Sequence, residues 1–279
     1  MPDPADMPSP SDARSLVLGA AVGFRADQVR TFVESLRASG YRGDVVILVG
    51  LRDFALARYL KSRGVTAKRT WFIRRFHGPI HAYRFELFAS VLRASAGKYD
   101  RVLVSDVRDV VFQAHPFAGI TSEACHFFLE GDNRTIGNEP TNMVYMRSFL
   151  PPAEVEQIAP SRISCCGVVL GGGAAMTAYL TRMAAELAAV PLKVRRKIGA
   201  DTAFHNRMAH LPARTSTPIP VVLVENNVHV ATMGIEPASS YRSEPGGTIR
   251  TLEGHLPAIL HQYDRLPEIK TPVEQRWNS

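Results

Sequence analysis

Two aspartates at the end of an apolar run are the residues of this sequence best placed to do chemistry. Asp106 and Asp109 follow Val102-Leu103-Val104-Ser105 and are separated by Val107 and Arg108. Two neighbouring carboxylates repel each other unless a cation lies between them, so the spacing favours a bound metal. Mg²⁺ and Mn²⁺ prefer hard oxygen ligands and suit carboxylates together with a diphosphate. Spacing alone leaves an alternative open, in which Asp106 caps a turn and Asp109 pairs with Arg108 or another base.

The elements that must position these aspartates form a regular alternation in the first half of the chain. Apolar runs predict strands at residues 15–22, 44–49, 68–72 and 101–105, and helical spacing predicts helices at 27–40, 54–63 and 81–94. Such alternation indicates parallel pairing with right-handed crossovers. We therefore predict an α/β fold, a single Rossmann-like domain with a mixed, mostly parallel central sheet flanked by helices. Ligands bind at the carboxyl ends of strands in such sheets, where the aspartates stand.

The second half of the sequence is less regular. It predicts strands at 164–170 and 221–225, another strand ending in Phe127-Phe128-Leu129, and a helix at 176–190. The last third is rich in Pro and Gly and is predicted to form loops able to cover a site. Residues 1–13 contain mostly Pro, Ser and Asp and are predicted to be a disordered leader, which leaves 14–279 as the folded domain.

Composition limits the partners of the chain. A net charge of +7 and a pI near 9.5 favour anionic partners such as sugar nucleotides, phospholipid surfaces or nucleic acid. The basic residues are scattered apart from Arg74-Arg75 and 193–197, and no basic run is interleaved with aromatics, so we do not expect nucleic-acid binding. No segment resembles a secretory signal or approaches the length of a membrane span, so membrane contact is expected to be peripheral at most. Three cysteines, two of them adjacent, fit a reducing cytoplasm.

Two familiar phosphate-binding motifs are absent. Gly171-Gly172-Gly173 is not followed by the Gly-Lys-Ser/Thr of a P-loop, and Gly19 with Gly23 does not make the dinucleotide pattern G-x-G-x-x-G. These absences weigh against kinases and dehydrogenases.

Four segments in sequence order carry a family resemblance that spans roughly residues 15 to 265. They are Val102 to Phe112, Ile163 to Gly171, Gly199 to Asn206 and Ile259 to Asp264. Together they resemble the DxD strand, the donor-sugar strand, the D-Q-x-x-x-N segment and the late metal-binding His of GT-A glycosyltransferases, among them glycogenin and the bacterial lipopolysaccharide galactosyltransferases. Two departures are visible, since Arg108 makes the motif D-x-R-D and Thr202 replaces the Gln.

The resemblance implies a site. It places Asp106, Asp109 and His261 around Mn²⁺ or Mg²⁺, and imidazole is itself a good Mn²⁺ ligand; the alternative is a His261 packed at a strand end. The departure at Arg108 leaves open whether both aspartates bind the metal or Asp106 alone does, with Arg108 helping to hold phosphate. The predicted nucleotide-sugar contacts are Gly19, Ala20, Arg84, Ser105, Asp106, Arg108, Cys166 and Gly167.

Two further acids are candidates for catalysis. Asp201 could orient a hydroxyl, cap a helix, or do both. Glu130 is the other candidate base, with a solvated turn acid as the alternative. An Arg at position 84 could meet the diphosphate, and an exposed helix pair with Glu86 is its alternative. His205, His229 and His255 are predicted to be structural or surface residues.

The implied activity is transfer of a hexose from a nucleoside diphosphate sugar, UDP-linked, to a saccharide or glycolipid hydroxyl. Similarity to glycogenin leans towards retention of the anomeric configuration, whereas an inverting enzyme would need one base such as Asp201 or Glu130. Two alternatives remain open at this point. One is a nucleotidyltransferase that makes the sugar nucleotide, and the other is a non-catalytic nucleotide-sugar-binding module of the same fold.

Overall fold

A computed structural model describes residues 12–121, 123–131, 133–212 and 219–278. Of the predicted disordered leader, residues 1–11 lie outside the described residues. Asp12 contacts the folded chain, because its carboxylate accepts a hydrogen bond from the Arg42 backbone N–H at 2.8 Å and lies 3.0 Å from His115 Nε2.

A mixed central sheet organises the described part of the chain. Its strands are β1 (Ser15–Ala20), β2 (Asp44–Gly50), β3 (Thr66–Thr70), β4 (Arg101–Ser105), β6 (Cys125–Leu129), β7 (Ser164–Gly172) and β8 (Val221–Val224), while β5 (Val110–Phe112) belongs to a second sheet. The order is β3-β2-β1-β4-β7-β6-β8. All neighbours pair in parallel except β7, which runs antiparallel to β4 and β6. The predicted α/β fold with a mixed, mostly parallel sheet is confirmed.

Helices cover both faces of this sheet. They are α1 (Asp27–Ala38), α2 (Phe54–Ser62), α3 (Arg74–His77), α4 (Ile80–Ala94), α5 (Pro140–Phe149), α6 (Pro152–Ile158), α7 (Gly173–Ala189), α8 (Leu192–Arg195), α9 (Ala200–His210) and α10 (Pro267–Asn278). Apolar side chains of α4, α7 and α9 pack with one face of the sheet, and those of α1 and α2 pack with the other. None of the helices in the described ranges is long and apolar enough to cross a membrane.

The last third of the chain is more structured than the sequence indicated. It was predicted as loops, but it contains the short strands β9 (Val230–Thr232), β10 (Tyr241–Ser243), β11 (Ile249–Thr251) and β12 (Ile259–His261). Each has three residues, too few for a periodic pattern, and left-handed glycines such as Gly246 and Gly247 lie between them. β12 pairs with β5 and β9, which places the end of the chain against the end of β4.

A buried histidine makes the stability of this core depend on pH. His205 is fully buried in α9, with Nε2 2.9 Å from Ser164 Oγ and Nδ1 2.9 Å from Tyr179 Oη. Burial lowers the pKa of His205 to about 3, and burial likewise lowers the pKa of His229 to about 4. Histidine in the unfolded chain has a pKa of about 6.5, so below that pH the unfolded chain binds more protons than the folded one.

We therefore expect the free energy of unfolding to fall as the pH drops from about 6.5 towards 4, and the contribution of these histidines to be constant above that window. Urea titrations across this range measure the slope. His205→Gln, whose amide can keep one polar partner, should reduce the slope by up to one proton, or about 1.4 kcal/mol per pH unit. An unchanged slope in this variant would show that His205 is protonated in the folded state.

Candidate metal centre

Three residues predicted to bind metal meet at the carboxyl end of β4. Asp106, Asp109 and His261 each offer one ligand atom, and these atoms all lie within 4.8 Å of one another. The pairing of β12 with β5 sets His261 opposite Val110, the neighbour of Asp109. The Gln262 backbone N–H also donates to the Asp109 carbonyl oxygen at 2.8 Å. The loop after β4 and the end of β12 are therefore held together by backbone hydrogen bonds.

His261 directs its Nε2 nitrogen towards the two carboxylates without forming a hydrogen bond. Its side chain is 1% exposed, its Nε2 forms no hydrogen bond, and Nε2 lies 3.5 Å from Asp106 Oδ2. On the other side of the ring, Nδ1 lies 3.5 Å from Cys165 Sγ. A buried polar atom without a partner costs free energy, and a metal ion between Nε2 and the carboxylates would supply the partner.

Gly167 leaves the space between these ligands open. A Cβ atom at this position would lie 2.6 Å from His261 Nε2 and 2.8 Å from Asp106 Oδ2, so both side chains would have to shift to admit it. The Gly167 carbonyl oxygen accepts a hydrogen bond from the Asp106 N–H at 2.7 Å. Asn206 in turn fixes β7, because its amide bonds both the N–H and the carbonyl of Ser164 at 2.8 and 2.9 Å.

The charges around the cluster are only partly balanced. Burial would raise the pKa of Asp106, but Arg84 and His261 outweigh it and hold that pKa well below its usual range. Burial, with the nearby charges of Asp106 and Asp264, raises the pKa of Asp109. Burial would lower the pKa of His261, but the neighbouring carboxylates outweigh it and raise that pKa. The raised pKa of His261 reports the negative charge of the surrounding carboxylates, which a divalent cation would neutralise.

Arg84 joins two of the predicted site carboxylates. It lies on α4 with its side chain 9% exposed, contacts Asp106 closely, and has Nη2 3.7 Å from Asp201 Oδ2. The alternative in which Arg84 forms an exposed helix pair is wrong, because the side chain is buried and Glu86 points to solvent. Arg84 therefore contacts Asp106 through Nη1 and forms a longer ion pair with Asp201 through Nη2.

The two predicted catalytic acids are both buried. Asp201 is 6% exposed, in the first turn of α9; it does not cap that helix, whose N-cap is Gly199 with a φ of 96°. Glu130 is 8% exposed, so it is not a solvated turn acid. Burial raises the pKa of Glu130, and Cys165 and His261 are among the groups that oppose this.

The remaining predicted contacts lie at the same edge of the sheet but in different settings. Gly19 pairs with Ser105 across β1 and β4, and a Cβ at Gly19 would lie 2.8 Å from Ile47 Cδ1, so its surroundings are tightly packed. Ala20 is half-buried and pairs with Leu48. The Ser105 hydroxyl donates to the Asp106 carbonyl at 2.7 Å. Arg108 is exposed, and its guanidinium lies 3.6 Å from Asp264 Oδ2.

No protein-family model matches the chain, and no curated protein matches its sequence. The metal fit therefore depends on the donor set itself. Two carboxylates and one imidazole nitrogen without a hydrogen bond are ligands that Mn²⁺ accepts, and the carboxylates alone suit Mg²⁺.

The other end of β4 carries a separate groove of 1080 Å³ between α4 and α7, whose wall includes Asp100 and Gly173 but no residue of the cluster.

Sequence reasoning missed several residues around the cluster. The sequence favours small buried residues over nucleophiles at Cys165 and Cys166, because no His base adjoins them along the chain. The fold brings such a ring close, since Cys165 Sγ lies 3.5 Å from His261 Nδ1. Cys166 Sγ, a predicted donor contact, lies 3.7 Å from Thr202 Oγ1. Tyr145, whose ring packs over Gly199, was not singled out at all. The Gly199 to Asn206 segment was the one sequence signal for these contacts, because it contains both Gly199 and Thr202. Helical spacing alone does not say which residue of a helix faces the sheet.

We expect His261→Ala to weaken the apparent Mn²⁺ affinity by about tenfold to a hundredfold, because it removes the nitrogen that faces both carboxylates. Mn²⁺ titrations of UDP binding beside thermal melts test this. His255→Ala removes an exposed imidazole from the same part of the chain and serves as the matched control. An unchanged titration midpoint in His261→Ala would remove His261 from the metal site.

Proposed function

We propose that this chain is a metal-dependent glycosyltransferase that moves a hexose from a nucleoside diphosphate sugar, UDP-linked, to a hydroxyl of a saccharide or glycolipid. The observation that carries the proposal is the meeting of Asp106, Asp109 and His261 at the carboxyl end of β4. That edge is where open α/β sheets bind their ligands. The order of the four resembling segments along the chain supports the same reaction class.

In this proposal Asp106, Asp109 and His261 hold Mn²⁺ or Mg²⁺. When bound, the ion stabilises the negative charge that develops on the departing diphosphate. The protein orients its ligands beforehand, since Gly167 keeps the space clear and Arg84 fixes the Asp106 carboxylate. Such preorganisation lowers the barrier because no group has to move as charge develops.

The two buried acids are suited to different roles towards the acceptor hydroxyl, Asp201 to orienting it and Glu130 to accepting its proton. Asp201 forms an ion pair with Arg84 at 3.7 Å, and in this proposal its carboxylate orients a sugar hydroxyl by hydrogen bonding. The raised pKa of Glu130, caused first by burial, favours holding a proton nearer to neutral pH, as a general base requires. Retention of configuration, implied by the resemblance to glycogenin, needs no such base. Analysis of the anomer formed, in wild type and in Glu130→Gln, separates the two outcomes.

Charge and cysteine content are consistent with this proposal. A net charge of +7 attracts an anionic nucleotide sugar and raises its association rate. Cys125, Cys165 and Cys166 are all free and buried. Free thiols fit a reducing cytoplasm, where nucleotide sugars would serve as donors.

Calorimetry with UDP, in the presence and absence of Mn²⁺, tests the proposal. Metal-dependent UDP binding followed by nucleotide release from one member of a donor panel supports the transferase. Pyrophosphate release from a nucleoside triphosphate and a sugar phosphate would instead identify a nucleotidyltransferase. Binding of UDP without metal and without turnover of any donor would identify a non-catalytic module in which D-x-R-D no longer holds the ion.

A further inference from the structure

Two segments that are distant in sequence form one surface, which we name the basic face and define as residues 71–76 and 193–198. The first contains the start of α3 and the second most of α8 and the turn after it. They are joined by a hydrogen bond of 3.0 Å from Arg196 Nη2 to the Arg75 carbonyl oxygen. Gly78, just beyond the first segment, packs on Leu192, just before the second, since a Cβ there would lie 3.5 Å from Leu192 Cδ1.

The basic face carries positive charge that no acid balances. The sequence contains no Asp or Glu from Phe54 to Phe85 or from Leu187 to Ala200. Five exposed cations belong to the face, namely Arg74, Arg75, Lys193, Arg196 and Lys197. Within the described part of the chain, none of the five forms an ion pair. A cluster of this kind attracts a surface of negative charge.

Large apolar side chains project from the same face. Trp71, Phe76 and Ile198 are 68%, 62% and 67% exposed. Their direction follows from local packing, because Phe72 and Tyr83 both stack on the ring of His77, at 6.0 and 4.3 Å between the centroids. This stack turns one side of the segment inward and leaves its neighbours outside. Trp71 and Phe76, the sequence neighbours of Phe72 and His77 in this stack, are left exposed.

We propose that the basic face docks this protein on an anionic phospholipid bilayer. Trp71 and Phe76 flank Arg74-Arg75, so this basic pair does lie among aromatic residues, contrary to the expectation from the sequence. Trp and Phe in such a setting insert at the boundary of headgroups and acyl chains, while Lys and Arg bind the lipid phosphates. The exposed Ile198 favours a bilayer over nucleic acid, because an aliphatic side chain offers no ring on which a base could stack. Charge complementarity and apolar insertion thus identify the same partner.

The basic face also adjoins the elements that carry the candidate site. The first segment leads directly into α4, which bears Arg84, and the second into α9, which bears Asp201. Ile198 of the face precedes the first turn of α9, which carries Asp201, so a bilayer bound there would lie near that end of α9. On the proposed function, which this step alone requires, docking favours an acceptor hydroxyl on a membrane lipid.

Vesicle sedimentation tests the docking. Wild-type protein should bind vesicles of phosphatidylcholine containing about 30 mol% phosphatidylglycerol and should lose binding as salt is raised or phosphatidylglycerol is omitted. The variant R74Q/R75Q/K193Q/K197Q keeps Arg196 and its hydrogen bond, and it should bind on the order of a hundredfold more weakly. R58Q/K61Q/R93Q/R147Q removes the same charge from exposed cations outside the face and should bind as wild type does.

Tryptophan fluorescence tests the apolar part separately. The chain contains two tryptophans, so Trp277→Phe leaves Trp71 as the single reporter. Its emission should shift to shorter wavelength on anionic vesicles and be quenched by brominated acyl chains. Phe76→Ser in this background should weaken binding even where the cations are intact.

The outcomes are distinct. Absence of wild-type binding to anionic vesicles, equal binding by the two quadruple variants, or an unshifted Trp71 spectrum would each overturn the proposal. Salt-sensitive binding of a single-stranded RNA by the wild type, without vesicle binding, would replace it with a nucleic-acid surface. None of these measurements uses a nucleotide sugar or a metal, so their failure leaves the proposed transferase unaffected, and failure of the transferase leaves docking intact.

Discussion

Asp106→Asn abolishes metal-dependent sugar transfer and keeps the protein folded; this is the largest effect that we expect from a single substitution. The change removes the negative charge of a ligand at nearly constant shape. Losing several kcal/mol of charge stabilisation in the transition state corresponds to a fall in turnover on the order of a thousandfold or more. The amide oxygen of asparagine can still accept the hydrogen bond from Arg84, so the buried guanidinium keeps a partner.

Turnover at saturating Mn²⁺, with a thermal melt of the same preparation, measures this effect. Asp100→Asn is the matched control, because Asp100 precedes β4 as Asp106 follows it, but its carboxylate is 60% exposed and pairs with Arg14 at 3.0 Å. We expect the control to transfer sugar at the wild-type rate. Full activity of Asp106→Asn would exclude a metal site that depends on this carboxylate.

Gly167→Ala reduces apparent metal affinity on the order of a hundredfold, although it alters none of the three ligands. Its methyl group would lie 2.6 Å from His261 Nε2 and 2.8 Å from Asp106 Oδ2. Both groups must move apart to admit it, and overpacking of this kind costs about 1–3 kcal/mol. Because the displacement moves two ligands apart, the loss should be comparable to that of His261→Ala.

A double-mutant cycle distinguishes this steric effect from a general loss of structure. In Gly167→Ala combined with His261→Ala the methyl group no longer meets the imidazole. The loss of metal-binding free energy in the double variant should therefore be smaller than the sum of the losses in the two single variants. Mn²⁺ titrations of UDP binding on all four proteins provide the cycle. Strict additivity, or a loss explained entirely by unfolded protein in the melts, would contradict a steric role for Gly167 at the ligands.

Arg84 keeps the Asp106 carboxylate charged before any metal binds, and this carboxylate, 32% exposed, gives the buried guanidinium its partner. Its guanidinium contacts Asp106 and approaches Asp201, and it has little access to water. A buried charge is tolerated only when it is paired, so the three groups depend on one another. The same contact lowers the proton affinity of Asp106, which favours ligand chemistry over protonation near neutral pH.

Local patterns in the sequence were sufficient for the sheet and for the position of the acidic motif. The strand Arg101–Ser105 has the bounds that its apolar run predicts, and α4 begins one residue before its predicted start. The third strand lies two residues earlier than predicted, because only Thr70 of its five residues is fully buried and its pattern is weak. Element type depends on neighbours in sequence, which is why these features were accessible.

Contacts between distant segments required the tertiary structure. The pairing of β12 with β5 sets His261 beside Asp109, and it depends on three-residue strands that have no periodic signal. Likewise, the free space at Gly167 is defined by side chains from β4 and β12, not by its own neighbours. The sequence by itself determined which residues could hold a metal and which strand would present Asp106. Only the folded chain decided that Asp109, His261 and Gly167 share that place with it, because long-range packing is not encoded in local spacing.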